Sequence, residues 1–125
     1  MKPWIGLRAG ISTAGLALVL VWAAGCHSYS IETTVENRTG GAIRLLEVDY
    51  PSASFGANSL AAGGVFHYRI QVRGNGPLKV AYTGKDVQQT LIVGPALSER
   101  QEGQIEIVLL PDNKAEFHPQ LTPQL

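Results

Sequence analysis

From Ile31 onward the chain alternates apolar and polar residues with a period of two, and turn residues interrupt the alternation at short intervals. Successive side chains on a strand point to opposite faces, so this pattern favours half-buried strands over helices. Ile31, Thr33 and Val35 alternate with Glu32, Thr34 and Glu36, which predicts a strand over 30–37 with one wet face. Arg38-Thr39-Gly40-Gly41 then turns the chain. A second strand is expected over 42–50, but its phase slips. Ile43 and Leu45 share one face, whereas Leu46, Val48 and Tyr50 share the other, and a β-bulge near Leu45-Leu46 reconciles them.

The segment 51–58 (PSASFGAN) reads as a turn-rich loop around Phe55, followed by a short edge strand at Ser59-Leu60-Ala61. Phe55 is either a plug over one end of the core or an exposed anchor for a partner, and burial of a phenylalanine, worth roughly 1.5–3 kcal/mol, favours the plug. The clearest strand covers 65–72, with Phe66, Tyr68, Ile70 and Val72 inward and His67, Arg69 and Gln71 outward. Asn75-Gly76 is a strong hairpin signal. Strands over 78–83, 87–93 and 104–110 follow, with 94–103 as the longest loop. Pro111-Asp112-Asn113-Lys114 is a tight turn, 115–118 a short last strand, and 119–125 a flexible tail.

Seven or eight short strands with turns every 8–12 residues indicate an all-β domain. A small antiparallel β-sandwich, immunoglobulin-like in architecture only, is the expected fold; a closed eight-stranded barrel is the alternative. The Cys–Trp–Cys landmarks of antibody domains are missing, since Trp4 and Trp22 both precede the strands.

The first 25 residues differ in kind. Lys2 and Arg8 give a basic start, Ala9 to Gly25 carries no charge, and the most apolar run is Ala14 to Ala24. A basic start, an apolar stretch and a small-residue exit form the pattern of a secretory signal helix. Cys26, the only cysteine in the chain, follows Ala23-Ala24-Gly25. This arrangement resembles the lipobox of bacterial lipoproteins. The resemblance implies a diacylglycerol on the Cys26 sulfur and cleavage between Gly25 and Cys26. A thiolate is a good nucleophile toward a lipid donor, and two or more acyl chains hold a protein firmly to a bilayer. Ala23 stands where the family prefers leucine. His27, in place of aspartate after the cysteine, favours the outer membrane, facing the periplasm. A transmembrane helix, or a signal peptide with an incidental Cys26, are the other readings of this segment; at 17 uncharged residues it is at the lower limit for a span.

The expected organisation is therefore a lipoprotein signal peptide at 1–25, a lipidated Cys26 with a short tether at 26–30, a β-sandwich at 31–118, and the tail. The chain has ten basic and ten acidic residues; without Lys2 and Arg8 the remainder has a net charge of −2. No basic face is expected, which argues against nucleic acid as a partner. His27, His67 and His118 are scattered, and no metal-ligand spacing occurs. No G-x-S-x-G elbow is present, and Ser52, Ser54, Ser59 and Ser98 fall in expected loops. Glu32 and Glu36 share one wet strand face, while Glu99 and Glu102 belong to the 94–103 loop. Asn37-Arg38-Thr39 matches the N-glycosylation acceptor pattern by chance. The sequence thus predicts no enzyme and no cofactor. It predicts a noncatalytic domain tethered to the envelope membrane through Cys26 that binds or scaffolds another envelope component, such as an envelope protein, or else a small periplasmic inhibitor or ligand-binding barrel.

Overall fold

A computed structural model of the chain describes residues 28–122. The expected signal helix, the expected cleavage between Gly25 and Cys26, the expected lipid on Cys26, His27 and the end of the tail lie outside the described residues. Eight strands are described: β1 (Ile31–Asn37), β2 (Ile43–Tyr50), β3 (Ala53–Leu60), β4 (Val65–Ile70), β5 (Gly76–Thr83), β6 (Gln89–Leu97), β7 (Gly103–Leu110) and β8 (Lys114–Leu121). They form two four-stranded sheets, ordered β4-β1-β7-β8 and β3-β2-β5-β6. The domain is a β-sandwich, and the closed-barrel alternative is wrong: each sheet keeps two edge strands, and the space between the sheets is filled with side chains. Ile31, Val35, Val48, Leu78, Val80, Ile107 and Leu109 are wholly buried there.

Five of the strand pairs are antiparallel, but β1 and β7 run parallel, from Ile31 beside Gly103 to Asn37 beside Leu109. A purely antiparallel sandwich was expected because no crossover helix fits a short connection. Here the strands between β1 and β7 make the connection, so no helix is needed. Every link reverses direction, and all odd-numbered strands run one way. The links therefore gather at two poles. Residues 38–42, 61–64, 84–88 and 111–113 form one, the distal pole. Residues 51–52, 71–75 and 98–102 form the other, where the chain also comes in at Ser28 and leaves at Thr122.

The bulge in β2 is present. The β2–β5 register shifts between Arg44 and Glu47, and Leu45 adopts φ +52° with its side chain 64% exposed. Opposite it, a Cβ on Gly56 would collide with the Leu46 carbonyl, so the close approach of β3 requires glycine there.

Several expectations fail. The segment 51–58 is not a loop: Pro51-Ser52 is a two-residue turn, and β3 runs from Ala53 to Leu60 with Phe55 in it. Asn75-Gly76 makes a turn but no hairpin, because β4 and β5 belong to different sheets. β6 starts later and runs past Gly94 and Pro95 to Leu97, so the loop after it spans only 98–102. The domain does not end at 118: β8 continues to Leu121, pairing Pro119 with Ile105. Proline is tolerated in β6 and β8 because both are edge strands.

Aromatic and glycine contacts close the two lateral seams. On the β3–β4 side, the Phe55 ring stacks on Tyr68 with centroids 4.6 Å apart and on Phe66 at 6.0 Å, and Tyr50 tilts against it at 6.4 Å. On the β6–β8 side, the Phe117 ring covers Gly94, where a Cβ would lie 2.6 Å from Cε1. The ion pairs Glu32–Arg69 and Glu36–Arg38, both 2.7 Å, are on the surface. Such exposed pairs contribute about 0–1 kcal/mol each, so packing carries the fold.

One polar side chain is built into that packing. Asn37, wholly buried at the end of β1, donates from Nδ2 to the carbonyls of Gly41 (2.8 Å), Leu60 (3.0 Å) and Ala61 (3.1 Å). Its Oδ1 accepts from the Thr39 amide (3.0 Å) and hydroxyl (2.7 Å). Its backbone N–H donates to Gly64 and its carbonyl accepts from Gly63. One residue thereby fixes both the β1–β2 turn and the β3–β4 turn. Thr33 is the contrast, since its buried Oγ1 has no hydrogen-bond partner.

Orphaning a buried polar group costs about 1–3 kcal/mol, and Asn37 serves several. Asn37→Ala is expected to lower stability by about 3 kcal/mol or more in urea unfolding. Thr33→Val, which removes an unsatisfied hydroxyl at little change in shape, is expected to raise stability by about 1 kcal/mol in the same assay.

Candidate functional site

A cleft of about 280 Å³, with polar and apolar lining, opens at the distal pole. Three links build it. Thr39 to Ala42 contribute backbone held by Asn37, Gly84-Lys85-Asp86 come from the β5–β6 link, and Pro111-Asp112-Asn113 from the β7–β8 link. Asp112 and Asn113 both take positive φ, +63° and +59°, conformations that asparagine and aspartate tolerate better than most residues. This turn also reaches β6, where the Thr90 hydroxyl donates to Asn113 Oδ1 at 3.0 Å. The stem of Lys85 lies over Gly41, 2.7 Å from where a Cβ would stand.

Tyr82 lines the floor of this cleft and is 3% exposed. Burial pushes its phenol above the ordinary tyrosine value; a hydrogen bond with Thr90 works against this, and the Asp86 charge adds to it. The cleft thus offers hydroxyl, amide, carboxylate and ammonium groups on short links. It suits hydrogen bonding to a polar surface.

A second opening, about 260 Å³, lies at the opposite pole between Ser28, Tyr29, Gln71, Val72, Arg73, Glu99 and Arg100. It is the point at which the chain comes into the domain. The Ser52 hydroxyl ties two links there, donating to the Gln71 carbonyl and accepting from the Arg73 amide, each at 3.2 Å.

The residues singled out from sequence do not converge. Phe55 is 7% exposed within the aromatic seam, so it is the plug and not a loop anchor. His67 contacts the Thr34 hydroxyl at 3.1 Å, and His118 contacts Glu116 at 3.2 Å, both on the surface. Among the described residues no group of three histidine, cysteine, aspartate or glutamate side chains could hold a metal ion. Ser54 and Ser59 are exposed on β3 and not in a loop. Glu32 and Glu36 pair with arginines, and the Glu102 amide donates to the Thr122 hydroxyl. The Asn37 amide, the acceptor atom of the N-R-T pattern, is consumed by three carbonyls in the interior.

Sequence reasoning missed one close pair. Glu47 and Asp49 lie two residues apart on the outer face of β2, and Glu47 is raised above the usual carboxylate range, first by its hydrogen bond with Asp49 and then by that residue's charge. Their i, i+2 spacing was the available signal.

No family model and no curated protein matches this chain. A solved structure is similar, the NMR structure of a protein from Eubacterium rectale, with a TM-score of 0.53. The similarity covers 75% of this chain and 93% of that one at 11% identity, so it bears on the fold alone.

The tyrosines give the site a measurable pH signature. Tyr82 and Tyr50 are both raised, chiefly by burial, so the folded state holds the neutral phenol. Their contribution is fully present below the ordinary tyrosine value of about 10 and is lost as pH rises through the higher folded values. Urea midpoints are therefore expected to hold up to about pH 10 and fall above it, with Tyr82→Phe reducing the fall.

Proposed function

We propose that this protein is a lipid-anchored, noncatalytic cell-envelope domain whose β-sandwich binds or scaffolds another envelope component. The observation that carries the reading is the position of Cys26, five residues before β1 begins at Ile31 and after a lipobox-like segment. A link of that length reaches about 15–20 Å at full extension. The pole holding Ser28, Tyr29, Arg73 and Arg100 then lies against the bilayer. The distal cleft points away from it, separated by the length of the strands, about 25 Å. His27 at the position after the lipidated cysteine favours the outer membrane over the inner.

Three features support a binding role over catalysis. His67 and His118 sit apart on the surface, the outward glutamates of β1 are paired with arginines, and the distal cleft is lined largely by link residues. Links carried on a rigid sandwich are a common place for recognition.

The reading is tested by the intact mass of protein extracted from membranes, beside a Cys26→Ser variant. The expected wild-type chain begins at Cys26 and carries added acyl mass, and the variant lacks that mass. A wild type that retains Met1 and lacks acyl mass would overturn the anchor.

A further inference from the structure

We propose that the opening at the chain-entry pole is a headgroup site for an anionic phospholipid of the bilayer that holds Cys26, with Arg73 and Arg100 on the lipid phosphate. The proposal rests on the lipid-anchored reading above and gives the anchored domain a fixed orientation.

The charge of this opening is uncommitted. Arg38 and Arg69 each pair with a glutamate at 2.7 Å. Arg73 and Arg100, both exposed, have no side-chain partner among the described residues. A guanidinium group binds phosphate oxygens in a two-bond fork. Glu99 shares the rim, so two positive charges stand against one negative. The distal cleft has the opposite balance, with Lys85 against Asp86 and Asp112. An anionic membrane surface therefore attracts one pole and repels the other.

The backbone beneath both arginines is cross-tied. Ser52 holds the Gln71 carbonyl and the Arg73 amide. The Glu99 amide donates to Asn75 Oδ1 at 3.1 Å, and the Ser98 amide to Gln101 Oε1 at 2.8 Å. The links that carry Arg73 and Arg100 are thus bonded to each other. Arg100 adopts φ +69°, a conformation that glycine or asparagine takes at less cost. Its guanidinium serves no bond within the domain, so it is available to a ligand.

The length of the tether selects the occupant. Cys26 precedes Ser28, which lines the opening, by two residues, about 7 Å at full extension. A diacylglycerol on the Cys26 sulfur brings the headgroup layer within reach, at an effective concentration of about millimolar or more. A phosphate site too weak to hold a dilute free ligand is filled under that condition. The lining also suits a lipid. Val72, 6% exposed, and Tyr29 add apolar surface beside the arginines. The phosphate meets the guanidinium groups while the glycerol lies against Val72 and Tyr29, an aromatic residue of the kind enriched at membrane interfaces.

The test uses the full chain as extracted from membranes, reconstituted in nanodiscs of phosphatidylglycerol or of phosphatidylcholine, beside Arg73→Gln/Arg100→Asn. Asparagine suits the positive φ at position 100, and the amide at 73 keeps its bond to Ser52, so the variant is expected to keep the wild-type melting temperature. A lowered one is replaced by Arg73→Lys/Arg100→Lys, which keeps the charge and gives up the forked bonds. NMR follows the arginine Nε–H signals and the broadening of backbone amides by a spin label on the headgroups. In the wild type, the Arg73 and Arg100 signals are expected to shift in phosphatidylglycerol and not in phosphatidylcholine, and about 0.5 M NaCl to reverse the shift. Each arginine near an anionic surface is worth about fivefold, so the variant is expected to lower the ratio of docked to undocked domain about 25-fold. That loss reads out as new broadening at residues 84–88 and 111–113, which the docked domain holds about 25 Å from the bilayer. Arginine signals that are the same in both lipids, or a variant with the wild-type broadening, would overturn the headgroup site. Equal shifts from about 10 mM glycerol phosphate in phosphatidylcholine nanodiscs would overturn the lipid in favour of a free phosphate compound. Missing acyl mass on Cys26 would overturn the anchor and this site with it, whereas acyl mass with unshifted arginines would overturn this site alone.

Discussion

The side-chain amide of Asn37 is the interaction on which the distal half of the molecule depends. It is buried at the end of the central strand β1, in the sheet opposite the carbonyls of Leu60 and Ala61, at the end of β3. A buried amide without partners would be a liability. Here both nitrogen protons and the oxygen are used, and the neighbouring backbone groups at Gly63 and Gly64 close onto the same residue. The amide links the two sheets at the distal pole. The Gly41 carbonyl it holds is part of the wall of the distal cleft, so the node and the cleft are one construction.

The rest of the closure is apolar and asymmetric. Phe55, Phe66, Tyr68 and Tyr50 fill the β3–β4 seam with ring against ring. The β6–β8 seam is thinner, with the Phe117 ring lying directly on Gly94. This asymmetry leaves the first half of β6 uncovered while its second half is sealed.

Much of this architecture was legible in the alternation of residues, and the failures have specific causes. β1, the bulge at Leu45, β7 and the turn at 111–114 follow from local pattern, because each has one buried face or a turn residue in a demanding conformation. β3 was hidden because an edge strand facing a bulge needs Gly56 and tolerates Ala57, Asn58 and Ser59, which together read as a loop. Asn75-Gly76 announces a turn, but no local signal says that the chain changes sheets there. Pro95 and Pro119 cut β6 and β8 short on paper, since their acceptability depends on being at an edge. The Asn37 node was visible only as an accidental acceptor pattern. Its partners lie up to 27 positions away in sequence, at Gly64, and only the fold brings them together.

The stability of the distal pole, and the shape of its cleft, rest on one buried side chain. Hydrogen exchange of the Asn37 side-chain amide protons, followed by NMR beside those of the exposed Asn58, tests this most directly. The account predicts that the Asn37 protons exchange as slowly as the backbone amides in the middle of β1, through global unfolding only. Exchange as fast as that of Asn58 would contradict it, because the amide would then be open to water and the two turns would be held by something else.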